Sequence, residues 1–251
     1  MIQPYTSITR QTALRLKLVM TDVDGTLNSG GDELNPAVSH AMQNLKEHGI
    51  MVGLVSGRTD PMLVSMSSGL DIGGPLIAEN GAVARMTYKS PLVDLGHSRQ
   101  PALEALKKLN ARYPGRIRER EDNAERLIDI VCSADGIAVE DLRNCVGDVQ
   151  LLDSTYILHL MQKGIDKGTT LNRLLELVDR PKIKPEEVLV VGDSMTDLSL
   201  FKLFTQSVLI PNRDLPETDK KTLRKSARYI SKHGAGEGFA EVVLHIINAR
   251  T

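Results

Sequence analysis

The chain has 251 residues, a length between one large domain and two small ones, and its 41% apolar content is enough for a sizeable core. Thirty-one basic residues against 32 acidic, 3% aromatics and no Trp exclude a nucleic-acid or anionic-membrane surface as the expected main partner. No apolar run has the ~18 residues of a membrane span, residues 1–17 lack the apolar core of a secretory signal, and Cys132 and Cys145 fit neither a zinc site nor a disulfide framework. The expectation is a cytoplasmic protein with reduced thiols.

Short β-rich runs alternate with helical stretches, the pattern of βαβ units and a mainly parallel sheet. A strand over 17–21 ends at Asp22, and a helix follows over 36–48 with Val38, Ala41, Met42 and Leu45 at core spacing. Further strands are predicted over 50–55 and 75–79, with a helix over 61–68 between them in which Met62 and Met66 read as core. Asn80-Gly81 is a hairpin turn into 82–88. From about 88 to 162 the character changes. Helices over 101–112 and 138–145 are interleaved with strand-like runs at 116–121, 127–132, 149–152 and 156–161, which suggests an α+β module with an antiparallel sheet. The alternating rhythm then resumes with helices over 167–178, 197–204 and 237–248 and strands over 187–191, 207–210 and 228–231. The predicted organisation is a Rossmann-like α/β core in two parts, 1–86 (opening with an extension to about Arg15) and 163–251, interrupted by an inserted α+β cap over 87–162.

Four short motifs sit where such a fold places chemistry, at strand ends and helix starts. Asp22-Val23-Asp24-Gly25-Thr26 follows the first strand. Residues two apart in extended chain share a face, so both carboxylates can meet a hard cation or divide nucleophilic and acid–base work. An acidic turn with a helix cap is the plainer alternative. Ser56-Gly57-Arg58 ends the second strand with a hydroxyl, a small residue and a cation, suited to phosphate oxygens or simply to a turn. Lys167 opens a helix, where the dipole disfavours a cation, so it is either a surface lysine or is held by a buried anion. Gly192-Asp193-Ser194-Met195-Thr196-Asp197 places two more acids four apart; Asp and Ser are also ordinary helix caps.

The ordered set resembles the haloacid dehalogenase superfamily across essentially the whole chain after Arg15. Glu79-Asn80-Gly81-Ala82 is similar to the type IIB (Cof-like) branch, whose cap is inserted between the second and third motifs. The resemblance implies Mg²⁺-dependent hydrolysis of a small phosphorylated metabolite, such as phosphoglycolate or a sugar phosphate, through an aspartyl-phosphate. Phosphomutase activity and a non-catalytic phosphate-binding role are the alternatives. It further implies Asp22 as nucleophile and Asp24 as acid–base. Asp22, the Asp24 carbonyl, Asp193 and Asp197 would form the metal site, and Ser56 and Lys167 would meet the phosphoryl oxygens. Gly57, Arg58, Asn80 and Thr196 join the candidate substrate contacts, with Thr196 standing where many relatives carry Asn. A monomer or homodimer is expected.

In the cap, Arg116, Arg118 and Arg120 alternate and would share one strand face. Arg118 is a candidate contact for a second anionic group, against the plainer reading of a solvated face paired with Glu119, Glu121 and Asp122. The basic run Lys220, Lys221, Arg224, Lys225 and Arg228 reads as a solvated helix face, residues 234–238 as a turn into the last helix, and the six histidines show no metal-ligand spacing.

Overall fold

The computed structural model describes residues 1–29, 34–154, 157–177 and 182–251. In chain order, β1 (Gln3–Pro4) and α1 (Arg10–Arg15) precede β2 (Leu18–Thr21), α2 (Pro36–Glu47), β3 (Met51–Val55), α3 (Asp60–Gly69), β4 (Leu76–Ala78) and β5 (Val83–Arg85). The middle of the chain contributes α4 (Gln100–Arg112), β6 (Ile117–Glu119), β7 (Ile130–Ala134), α5 (Val139–Val146), β8 (Val149–Asp153) and β9 (Leu158–Gln162). The last part adds α6 (Lys167–Leu177), β10 (Val188–Gly192), α7 (Leu198–Leu203), β11 (Gln206–Leu209), α8 (Glu217–Ser226), β12 (Tyr229–Ile230) and α9 (Ala235–Arg250). The predicted starts and ends that involve Tyr156 and Val178 lie outside the described residues.

Eight strands form one sheet in the order β1-β12-β11-β10-β2-β3-β4-β5, parallel except for the β4–β5 hairpin. From β2 the chain moves one way, through β3 to β4; from β10 it moves the other way, through β11 to β12. The strand order therefore reverses between β2 and β10, and a crevice opens beyond the carboxyl ends of these two neighbours. Both strands are buried along their whole length, as a parallel sheet covered on two faces requires. Alternation divides them between the two layers: Val19, Leu189 and Val191 pack on the side of α2 and α9, and Leu18, Met20, Val188 and Val190 on the side of α6 and α7.

The middle of the chain builds a separate four-stranded antiparallel sheet, β6-β7-β9-β8, with α4 and α5 on one face. The fold is thus mixed α/β with a mainly parallel central sheet and a cap.

Several expectations change. The N-terminal extension up to Arg15 packs on the core: β1 pairs with β12, and Ile8 and Ala13 are buried together with the following Leu16. Met62 is 38% exposed rather than core, whereas Met66 packs on the α2 side. The strand predicted from residue 127 starts only at Ile130, because the amides of Leu127, Ile128 and Asp129 are taken by the carboxylate of Glu79 instead of a ladder.

Candidate active site

Asp22 directly follows β2, and its amide still bonds to the Val191 carbonyl at 2.9 Å, so the first acid sits against β10. Asp193 follows β10. Two acids are thereby brought to the reversal point from opposite ends of the sequence, by parallel pairing alone. Gly25 has φ +82, and a Cβ there would collide with the Asp193 carboxylate, so the loop after Asp22 approaches Asp193 as closely as only glycine permits.

Lys167, at the first position of α6, is 1% exposed. Its Nζ donates to Asp22 Oδ1 and to Asp197 Oδ1, each at 2.7 Å. The dipole cost of a lysine at a helix start is offset by two buried carboxylates and by Asp166, whose side chain accepts from the Thr169 amide at 2.8 Å. Asp197 is occupied on both oxygens, since Oδ2 accepts from the amides of Asp193 and Ser194 at 3.0 Å. Asp193 accepts from Thr26 Oγ1 at 3.1 Å and Asn212 Nδ2 at 2.6 Å. Among the described residues, Oδ2 of Asp22 accepts no hydrogen bond.

One oxygen from each of Asp22, Asp193 and Asp197 lies within 4.8 Å of the others. Three buried carboxylates face one buried ammonium. Burial raises the Asp22 carboxyl well above its ordinary value, with Lys167 opposing and Asp197 and Asp193 adding to the rise. Burial, then Asp197, pushes Asp193 up to about 7, against the hydrogen bond from Asn212. Lys167 is held protonated despite burial, because Asp197 and Asp22 outweigh the desolvation. This all-oxygen set with excess negative charge fits a hard divalent cation.

Asp24 does not join the carboxylates. Its side chain is 47% exposed and held by Arg58 at 2.9 and 2.7 Å. Two residues apart is not enough to share a face here, because the strand ends at Thr21 and the chain turns. Its backbone remains beside the cluster, next to Gly25. Ser56 is 1% exposed just past β3, its Oγ accepting from the Arg58 amide at 3.2 Å and its carbonyl from the Asn80 amide at 3.0 Å. Asn80 is buried with its Nδ2 unpartnered among the described residues, and a Cβ on Gly57 would lie 3.0 Å from that nitrogen. A buried amide without a partner is expensive to leave so, and it marks a place for an oxygen-bearing ligand. Thr196 Oγ1 shares a hydrogen bond with Ser194 at 2.9 Å. Arg118 is not brought to this group: its side chain is 70% exposed and pairs at 2.6 Å with Asp135, not with the expected Glu119, Glu121 or Asp122.

Sequence reasoning passed over Asn212, which orients Asp193 from the turn after β11. A strand end carrying a short amide is the signal that could have found it. Arg126, in the cap, carries no local signal.

The family described as haloacid dehalogenase-like hydrolase matches residues 19–125 and 139–243 of this chain. Phosphoglycolate phosphatases from Methanospirillum hungatei and Methanoculleus marisnigri are each 31% identical over 91% of this chain and 95% of their own length. Among solved structures, a Thermoplasma acidophilum protein matches with a TM-score of 0.78 at 23% identity, covering 92% of this chain and 98% of its own. The sucrose-phosphatase of Synechocystis matches with a TM-score of 0.71 at 17% identity, covering 92% and 98%. At such identities the structural likeness concerns the fold.

Proposed function

The chain belongs to the haloacid dehalogenase-like hydrolases, and from that premise we propose that this phosphatase hydrolyses a small phosphomonoester, phosphoglycolate foremost, with Asp22 as its nucleophile and Mg²⁺ as its cofactor. The observation that carries the reading is Lys167, buried between Asp22 and Asp197 at the strand reversal. Phosphoglycolate is favoured because two relatives of that name are 31% identical over nearly their whole length.

A carboxylate attacking a phosphate dianion meets repulsion, so cations must gather where charge builds up. Lys167 supplies one and orients Asp22 by holding Oδ1, which leaves Oδ2 to attack. The new bond joins Oδ2 to phosphorus; the bond that breaks joins phosphorus to the leaving alkoxide, which takes its proton from Asp24. Water then attacks the phosphorus while Asp24 receives its proton; the bond from phosphorus to Asp22 Oδ2 breaks, releasing inorganic phosphate and restoring the Asp22 carboxylate. Asp24 must exchange its Arg58 partner to do this, and Arg58 sets its resting position. Ser56 Oγ and the free Asn80 amide supply donors to phosphoryl oxygens. Asp22, Asp193 and the Asp24 carbonyl would hold the metal, with Asp197 fixing Lys167 and the Asp193 backbone. When bound, Mg²⁺ would supply positive charge to the phosphoryl oxygens and fix their orientation.

The test is phosphate release from a panel of phosphomonoesters by the wild type and Asp22→Asn, with and without Mg²⁺. A loss on the order of 10³-fold or more is expected for Asp22→Asn on every substrate. Equal rates would remove Asp22 from the mechanism.

A further inference from the structure

A second set of buried charges, none of them in the acid cluster at the strand reversal, lies where the cap meets the core. Its centre is Glu79-Asn80-Gly81, the turn between β4 and β5. Glu79 and Asn80 take left-handed backbone angles, φ 49 and 55, which non-glycine residues rarely adopt. Surrounding contacts must therefore hold them there, and they come from three directions. On the side of the phosphate-binding loop, the Glu79 amide donates to the Arg58 carbonyl at 2.9 Å and the Asn80 amide to the Ser56 carbonyl at 3.0 Å. On the α6 side, Thr170 Oγ1 donates to the Gly81 carbonyl at 2.7 Å, from the same helix that Lys167 opens. On the cap side, the fully buried Glu79 carboxylate accepts from the amides of Leu127 at 2.8 Å and of Ile128 and Asp129 at 2.9 Å.

The cap returns a contact of its own. Arg126, 5% exposed, donates from Nη1 to the Gly57 carbonyl at 3.0 Å and to Asp129 at 2.7 and 3.0 Å. Its Nη2 and Nε reach Asp122 at 2.7 and 3.1 Å. His159 Nδ1 lies 2.7 Å from Asp129 Oδ2, and Thr59 Oγ1 donates to Glu125 at 3.3 Å. A guanidinium with its donors spread over both parts of the molecule is satisfied only while the cap is seated. The same holds for Glu79, whose carboxylate would lose three donors if residues 127–129 withdrew.

We propose that Glu79 and Arg126 are positioning residues that lock cap residues 122–129 to the Ser56-Gly57-Arg58 loop, so that seating the cap sets the phosphate-binding loop beside Asp22. The proposal deepens the phosphatase reading, resting on it for the role of Ser56. Glu79 is specific in this device. A carboxylate accepts at both oxygens, whereas Glu79→Gln keeps the shape but turns an NH₂ toward backbone N–H groups. Arg126→Met keeps the aliphatic stem and removes the contact to Gly57.

The full chain is compared as wild type, Glu79→Gln, Arg126→Met and the double variant, by hydrogen exchange of peptides covering 56–59 and 122–131 and by steady-state kinetics on phosphoglycolate. Arg126→Met should speed exchange at 56–59 about tenfold although the substitution lies in the cap, and Glu79→Gln should speed both segments together. Each should lower kcat/KM and weaken inhibition by inorganic phosphate about tenfold or more, with half-activating Mg²⁺ unchanged within about twofold. The double variant should lose little beyond either single one, since both remove one device. Unchanged exchange at 56–59 in folded variants, or losses that multiply in the double variant, would overturn the proposal. Should Arg126→Met not fold, the shape-preserving Glu79→Gln carries the exchange readout alone. Exchange does not depend on turnover: an active Asp22→Asn enzyme would sink the nucleophile assignment while leaving the lock standing.

Discussion

Asp193 and Asp129 are both buried acids, 2% and 0% exposed, yet burial leads them to opposite ends. At the strand reversal, Asp193 is pushed up to about 7 by burial and by Asp197, and three carboxylates share one ammonium. At the cap joint, burial also raises Asp129, but the His159 hydrogen bond and charge and those of Arg126 outweigh it, and its carboxyl stays below the usual range. The first group sets three carboxylates against a single ammonium; in the second, Asp129 lies within hydrogen-bond distance of both a guanidinium and an imidazole. Burial of charge alone does not mark a reactive site. Burial with an unfilled requirement does, and in the proposed reaction that requirement is for a cation and a phosphoryl group.

The contrast can be broken from either side, and the largest effect is expected at Lys167. Lys167→Met strands Asp22 and Asp197 without their counter-charge, so besides abolishing turnover it should cost about 3–5 kcal/mol of stability, read by denaturant unfolding. If the acid cluster is a metal site, adding Mg²⁺ should raise the wild-type unfolding free energy by about 2.7 kcal/mol at 100 times its dissociation constant. Asp193→Asn should remove most of that gain, and a metal-independent melting curve would contradict the reading. At the cap joint the sign reverses. Asp129 has a depressed carboxyl, so its contribution is present above the unfolded value near 3.9 and is lost as pH falls through the folded value below it. Asp129→Asn should therefore be less stable at neutral pH and have a flatter stability profile below about pH 4; parallel profiles would count against the balanced cluster. The smallest effect belongs to Arg118. Arg118→Ala removes an exposed pair worth at most about 1 kcal/mol and should leave the ratio of phosphoglycolate to a neutral sugar phosphate unchanged. A selective loss on phosphoglycolate would give Arg118 a substrate role.

Much of the placement of the acid cluster was legible in the sequence. Asp22, Lys167 and Asp193 stand at strand ends and a helix start, and their order along the chain constrains them more than any one motif does. Each remained ambiguous locally: Lys167 is an ordinary surface lysine until β2 and β10 pair and place two acids above it. Asp24 shows the limit of spacing arguments, because alternation applies only while the strand lasts, and it ends at Thr21. The balanced half was nearly invisible. Glu79 meets Leu127 across 48 residues, through a side chain bonding to backbone, a contact with no periodicity to betray it. Arg126 looks like one charge among many in an acidic and basic loop, and residues 127–129 read as strand because their apolar pattern does not reveal that Glu79 takes their amides. The packing of the N-terminal segment was hidden for a similar reason. A two-residue strand and a six-residue helix are too short for a periodic signal, though Ile8, Ala13 and Leu16 bury well.

The central claim is that the uncompensated oxygen of Asp22 forms a bond to phosphorus. Rapid quenching of the enzyme with substrate carrying radiolabelled phosphate, followed by proteolysis, tests it most directly. Label is expected on the peptide containing Asp22, released by hydroxylamine as an acyl phosphate is, and absent in Asp22→Asn. Phosphate release with no labelled protein, or label on another peptide, would contradict it.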